Sequence, residues 1–129
     1  TDKLICPIMD ARRQQVYTAI YKWENGSLKN LMPSDALNID ELFEKLLEYK
    51  KEVIFVGDGV PVFKDKIKRH NLFYMAPANC NIQNAASVAA LAEIHIEKGE
   101  FVNGEKFAPV YLRKSQAERE REEKISAEA

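Results

Sequence analysis

Two short clusters and one distant arginine in this chain could do chemistry. Gly57-Asp58-Gly59 follows the apolar run Val53–Val56 and precedes a helical pattern. In open α/β sheets, ligands bind where strands end and helices begin, because glycines let a ligand approach the backbone and a helix N-terminus favours anions. Gly57, Asp58 and Gly59 are therefore candidate nucleotide contacts, although a purely structural strand-to-helix turn needs the same glycines. Asp10-Ala11-Arg12-Arg13 offers a carboxylate and two guanidinium groups at a strand end, and Arg113 supplies another near the far end of the chain. The planar guanidinium fork matches phosphate and carboxylate, so Arg12, Arg13 and Arg113 are candidate contacts for phosphate or a protein partner. The alternative is a turn between antiparallel strands that leaves its arginines in water.

Other chemistry is not signalled. His70 and His95 are far apart, with no second histidine at helical spacing, so no metal site is expected. His70, beside Arg69 at the end of a helical pattern, reads as a favourable helix-end charge. No serine or cysteine sits in a nucleophile-elbow context, so no catalytic residue is assigned. Cys6 and Cys80 lack CxxC spacing and read as reduced thiols of a cytoplasmic protein. The formal net charge of −1 gives no global reason to expect a nucleic-acid or membrane surface. No apolar run approaches the ~20 residues that span a bilayer, and no membrane association is expected.

The elements that must position these residues follow from pattern and turns. Leu4–Met9 and Val16–Tyr21 read as strands, and Asn25-Gly26 is a strong hairpin signal leading to a third strand around Leu28–Met32. Asn38-Ile39-Asp40-Glu41 has the form of a helix start, after which Leu42, Phe43, Leu46 and Leu47 share a face. Val53–Val56 reads as a strand covered on both sides. Pro61 suits the first turn of a helix running to about His70, and Leu72–Met75 is the next strand. A third helix spans about Ile82 to Lys98, with Ala85, Val88, Ala89, Ala92 and Ile96 as its buried stripe and Gly99 as its stop. Tyr111, with Pro109 and Leu112, is expected to pack the last apolar segment on the sheet, and Trp23 to pack across the hairpin. Between Lys114 and Lys124 the only apolar residue is Ala117, so that stretch should be a solvated helix or disordered. The order is βββαβαβα, which predicts a ribonuclease H-like (actin-like ATPase) α/β domain: a mixed sheet with helices on its faces and a charged C-terminal tail.

Two segments carry a resemblance. Asp10-Ala11-Arg12-Arg13-Gln14-Gln15-Val16-Tyr17 and Pro109-Val110-Tyr111-Leu112-Arg113-Lys114-Ser115-Gln116-Ala117-Glu118, with the Gly-Asp-Gly loop midway between, resemble the second half of the TsaB (YeaZ-like) family. That family, often labelled M22 glycoprotease, is the non-catalytic partner in bacterial tRNA threonylcarbamoyladenosine synthesis. The resemblance names the same fold. It implies that residues 1–112 are a second actin-like domain whose N-terminal companion is absent from this chain, a reading that suits its start at Thr1-Asp2-Lys3, and that 113–129 are a tail.

It further implies a scaffold for a TsaD-type catalytic subunit and a TsaE-type ATPase, acting on adenosine 37 of tRNAs that read ANN codons. Contact with tRNA would be indirect, and a homodimer is possible. The resemblance implies no intrinsic cofactor: ATP or ADP would bind only with the missing domain or a partner. In actin-like kinases a glycine-rich turn at the equivalent place contacts the adenosine of ATP, and this loop looks similar. Two other readings stay open: the nucleotide-binding half of an actin-like phosphotransferase, and an interaction module that docks through its charged tail.

Overall fold

The computed structural model describes residues 2–128. Strands β1 (Leu4–Asp10), β2 (Gln15–Glu24) and β3 (Ser27–Asn38) form an antiparallel meander. Asn25 and Gly26 take φ values of 52° and 77°, as a tight turn closing Glu24 against Ser27 requires. β4 (Val53–Val56) lies parallel to β1, and β5 (Phe73–Met75) parallel to β4, giving the sheet order β3-β2-β1-β4-β5. β2 and β3 are longer than expected from their apolar cores. Their pairing jumps from Thr18↔Asp35 to Ile20↔Met32, so Pro33 and Ser34 bulge opposite Ala19.

Helices α1 (Ile39–Glu48) and α2 (Gly59–Ile67) cover one face of this sheet. Asn38 caps α1 by accepting a hydrogen bond from the Asp40 N–H at 2.9 Å. Leu42, Phe43 and Leu46 of α1 and Val60, Phe63 and Ile67 of α2 meet Leu4, Cys6, Ile8, Val16, Ile20, Val53 and Phe55 of the sheet in one core. Phe43, Phe55 and Phe73 pack edge to face with ring centroids 5.0–5.7 Å apart. α2 stops at Ile67, and the His70 ring, 4.7 Å from Phe73 and 5.3 Å from Phe43, joins this cluster. Cys6 is buried with its Sγ 3.4 Å from Thr18 Oγ1, and burial pushes its thiol up to about 12 despite that bond. It stays a protonated core side chain. Cys80 is exposed and unbridged.

Several expectations about burial fail. Leu47 lies off the buried face of α1, and Ile54 and Val56 of β4 are only half-buried, because α1 and α2 both occupy the opposite face. Trp23 faces Leu28 across the hairpin, but both remain about half exposed. The largest departure is α3 (Ala85–Glu97), which follows a 3-10 turn at Ala78–Asn81. Its ends are well specified. Asn84 caps Ala86 N–H at 2.8 Å, and at Gly99 (φ 72°) the N–H groups of Gly99 and Glu100 close back on the carbonyls of Ile96 and His95. Yet every residue of α3 is exposed, the expected stripe included. Val88, Leu91, Ile94 and Ile96 are spread around the helix, so no single face concentrates the driving force for docking on this sheet. Finally, α4 (Gln116–Glu128) is a solvated helix rich in both charges. Among the described residues no helix is long and apolar enough to cross a membrane.

Candidate functional site

The site is built around the turn that follows β1. Arg12, Arg13 and Gln14 have φ values of 64°, 53° and 62°, three successive left-handed residues without a glycine. Each such residue costs about 1–2 kcal/mol in isolation, so the turn needs external support. Ala11 N–H donates to the Gln15 carbonyl at 2.9 Å and Gln15 N–H to the Arg12 carbonyl at 3.0 Å. Asp10 accepts the Arg12 N–H at 2.9 Å and faces the Arg12 guanidinium at 3.4 Å. The Ile39 N–H, at the start of α1, holds the Gln14 carbonyl at 2.9 Å.

The Gly-Asp-Gly loop braces this turn from below. Asp58 Oδ1 accepts the Asp10 N–H at 3.0 Å and makes no cap bond to its own helix. Gly57, at φ 105°, lies so close to β1 that an added Cβ would overlap the Ile8 carbonyl oxygen, and one at Gly59 would sit 3.0 Å from it. The close approach these glycines permit is therefore to the protein's own backbone. We expect Asp58→Ala to lower stability by about 1–2 kcal/mol, the range for a hydrogen bond to a charged acceptor at a solvated site. Thermal denaturation measures this. ATP hydrolysis by the intact chain that vanishes in this variant would contradict the structural role given to Asp58.

The second terminal segment meets the first here. Arg113 Nη1 donates to the Ala11 carbonyl at 2.7 Å across 102 residues of sequence. A cleft of about 1010 Å³ opens between them, lined by Arg12, Arg13, Tyr17, Tyr111, Arg113 and Arg119 together with Lys114 and Glu118. All three arginines singled out from the sequence thus line one concavity. The start of α4 forms its other wall: Ser115 Oγ accepts the Glu118 N–H at 3.3 Å while Glu118 accepts the Ser115 N–H at 2.8 Å, a reciprocal cap. Those bonds from Ser115 hold the Glu118 carboxyl below its usual range. Lys114 is paired with Glu122, whose hydrogen bond raises the ammonium pKa.

An adjoining groove of about 310 Å³ is lined by Gly57, Asp58, Tyr17, Leu112 and the segment Cys80–Gln83. Gly59 does not line it, being buried in the first turn of α2. Its walls are largely apolar side chains, and Asn81 Oδ1 is hidden there without a hydrogen-bond partner among the described residues. Tyr111 does not anchor the last segment: it is 84% exposed on the cleft wall, and Leu112 with Arg113 makes the return contact instead. Arg119 and Tyr17 are cleft residues that the sequence did not mark as contacts, and Tyr111 is one that it marked only as an apolar anchor. The Ser115–Glu118 cap was the available signal, since it fixes where the first turn of α4 lies.

Comparison with known proteins adds three findings. The family model described as TsaD, tRNA N6-adenosine threonylcarbamoyltransferase, matches residues 1–121. The tRNA threonylcarbamoyladenosine biosynthesis protein TsaB of Bacillus subtilis (strain 168) is 39% identical over 67 residues, which are 52% of this chain and 29% of that protein. Two Pseudomonas aeruginosa structures share the fold. A protein with similarity to peptidase YEAZ superposes with a TM-score of 0.67 and 19% identity over 87% of this chain and 50% of its own. YeaZ does so with 0.64 and 18% over 85% and 50%. The chain therefore spans about half the length of these structural neighbours and under a third of the TsaB relative.

Proposed function

The chain belongs to the tRNA N6-adenosine threonylcarbamoyltransferase (TsaD) family, on its TsaB/YeaZ-like side, and on that premise we propose that it is a non-catalytic subunit of the machinery that makes threonylcarbamoyladenosine in tRNA. In this reading it scaffolds a TsaD-type catalytic subunit and a TsaE-type ATPase in the cytoplasm. The observation that carries the non-catalytic assignment is the use of the Gly-Asp-Gly loop. Its glycines abut the Ile8 carbonyl and its aspartate holds the Asp10 N–H, so the groups most suggestive of nucleotide chemistry serve the protein's own backbone.

We also propose that residues 1–112 act as one actin-like domain of a two-domain protein, with 113–129 as its charged tail. Two facts support this: the structural neighbours are about twice as long as the part matched, and α3 carries Val88, Leu91, Ile94 and Ile96 exposed. Nucleotide contact through Gly57 and Asp58 would then need the second domain or a partner.

Calorimetric titration of this chain into a TsaD-type subunit, with and without ATP, tests the reading. Micromolar or tighter binding is the expected result. Absence of binding, where the Bacillus subtilis TsaB relative binds the same subunit, would remove the scaffold role from this half.

A further inference from the structure

We propose that the cleft between the Arg12–Gln14 turn and the start of α4 binds the phosphodiester backbone of RNA directly. The inference rests on the tRNA-modification reading above and gives the chain a contact with RNA that does not pass through a partner. The chain as a whole is nearly neutral, with a formal net charge of −1, so any anion-attracting field must come from local placement.

Placement supplies it. Lys114 is neutralised by Glu122, and Arg12 shares Asp10 at 3.4 Å while its side chain stays 87% exposed. Arg13, Arg113 and Arg119 also line the cleft, and none of the three has a carboxylate partner among the described residues. The Ala11 carbonyl fixes the Arg113 guanidinium without cancelling its charge. Arg119 Nε is shut off from solvent and has no hydrogen-bond partner among the described residues. The rest of the Arg119 side chain lines the cleft without a carboxylate among the described residues to hold it. Glu118 is the opposing charge on the wall, held in place by Ser115.

Shape and aromatic content favour RNA over an acidic protein segment. The cleft is wide and open, and Tyr17 and Tyr111 stand among the arginines, Tyr111 almost wholly exposed. Unstacked RNA bases stack on such rings while guanidinium forks take the phosphates, and these contacts tolerate any sequence. An acidic peptide would use the charges but leave the tyrosines idle.

The test is fluorescence anisotropy of the full chain with a labelled, unmodified tRNA transcript that reads an ANN codon, between 50 and 200 mM salt. Three phosphate contacts predict a log–log salt slope of about −2.1 to −2.7, hence an affinity loss of about 20- to 40-fold over that range. Arg13→Glu and Arg119→Gln should each weaken binding about tenfold or more and flatten the slope by about one. Their melting temperatures should match the parent, and Lys64→Glu on α2 should leave binding unchanged. Unlabelled tRNA should displace the probe, whereas ATP and inorganic phosphate at the same concentration should not.

Absence of saturable binding, binding indifferent to salt or to the two cleft variants, displacement by ATP or inorganic phosphate at equal concentration, or capture of a poly-glutamate peptide in place of RNA would each overturn the proposal. The TsaD titration is read separately. Subunit binding without RNA binding removes this inference and leaves the scaffold reading; RNA binding without subunit binding does the reverse.

Discussion

Gly57→Ala is expected to cost about 3–5 kcal/mol of folding free energy, combining an unfavourable backbone region with overpacking. The φ of 105° lies beyond the left-handed well that other residues tolerate, and the new Cβ would overlap the Ile8 carbonyl oxygen. That oxygen belongs to the central strand, paired on both sides, so it cannot yield without disturbing β2 and β4. Against a total of about 5–15 kcal/mol for a domain, the variant should be close to unfolding. Gly104→Ala is the control: nothing lies within 4 Å of its added Cβ, and the change should stay within about 0.5 kcal/mol. Urea denaturation midpoints compare the two. Equal midpoints would mean that the loop does not press on β1 as described.

The second large effect belongs to the core beneath that loop. Phe55 is fully buried in β4, its ring meeting Phe43 at 5.7 Å and Phe73 at 5.1 Å. Phe55→Ala should destabilise by about 3–5 kcal/mol, the range for emptying a phenylalanine site. The loss should appear as a markedly lower melting temperature in calorimetry. Val62→Ala on the exposed side of α2 should change stability by no more than about 0.5 kcal/mol. Because Gly57 follows β4 by one residue, loosening Phe55 should also relax the brace at Asp58 and Asp10. A Phe55→Ala protein as stable as the parent would place the core elsewhere.

How much of this was legible depends on the range of the interaction. The Asn25-Gly26 turn, the Asn38 cap, the bounds of β4 and the stop at Gly99 are all local, and each is written in a few neighbouring residues. The βββαβαβα order follows from them. Arg12-Arg13-Gln14 carries no turn residue, so nothing local announces three left-handed conformations; the bonds from Asp10, Gln15 and Ile39 impose them. The meeting of Arg113 with Ala11 spans most of the chain and is a tertiary event. Composition can suggest three arginines as contacts, but only the closed fold brings them to one cleft with Arg119 and the tyrosines. The failure at α3 is different in kind. A regular stripe of Ala85, Val88, Ala89, Ala92 and Ile96 reads as a buried face, yet Leu91 and Ile94 make the helix apolar elsewhere too, and periodicity says nothing about which surface it meets.

The bulge opposite Ala19 has a consequence for how this molecule meets others. β3 is the long outer strand of the sheet, and an unprotected outer strand invites another chain to lengthen the sheet. Here Pro33 has no N–H to offer, the bulge breaks the straight run of pairing groups, and Lys29 and Asp35 flank it with exposed charge. The opposite border, β5, is three residues long. Both borders are therefore poor templates for strand addition. That favours association through side chains on faces and clefts, which makes partner choice a matter of surface chemistry more than of backbone pairing.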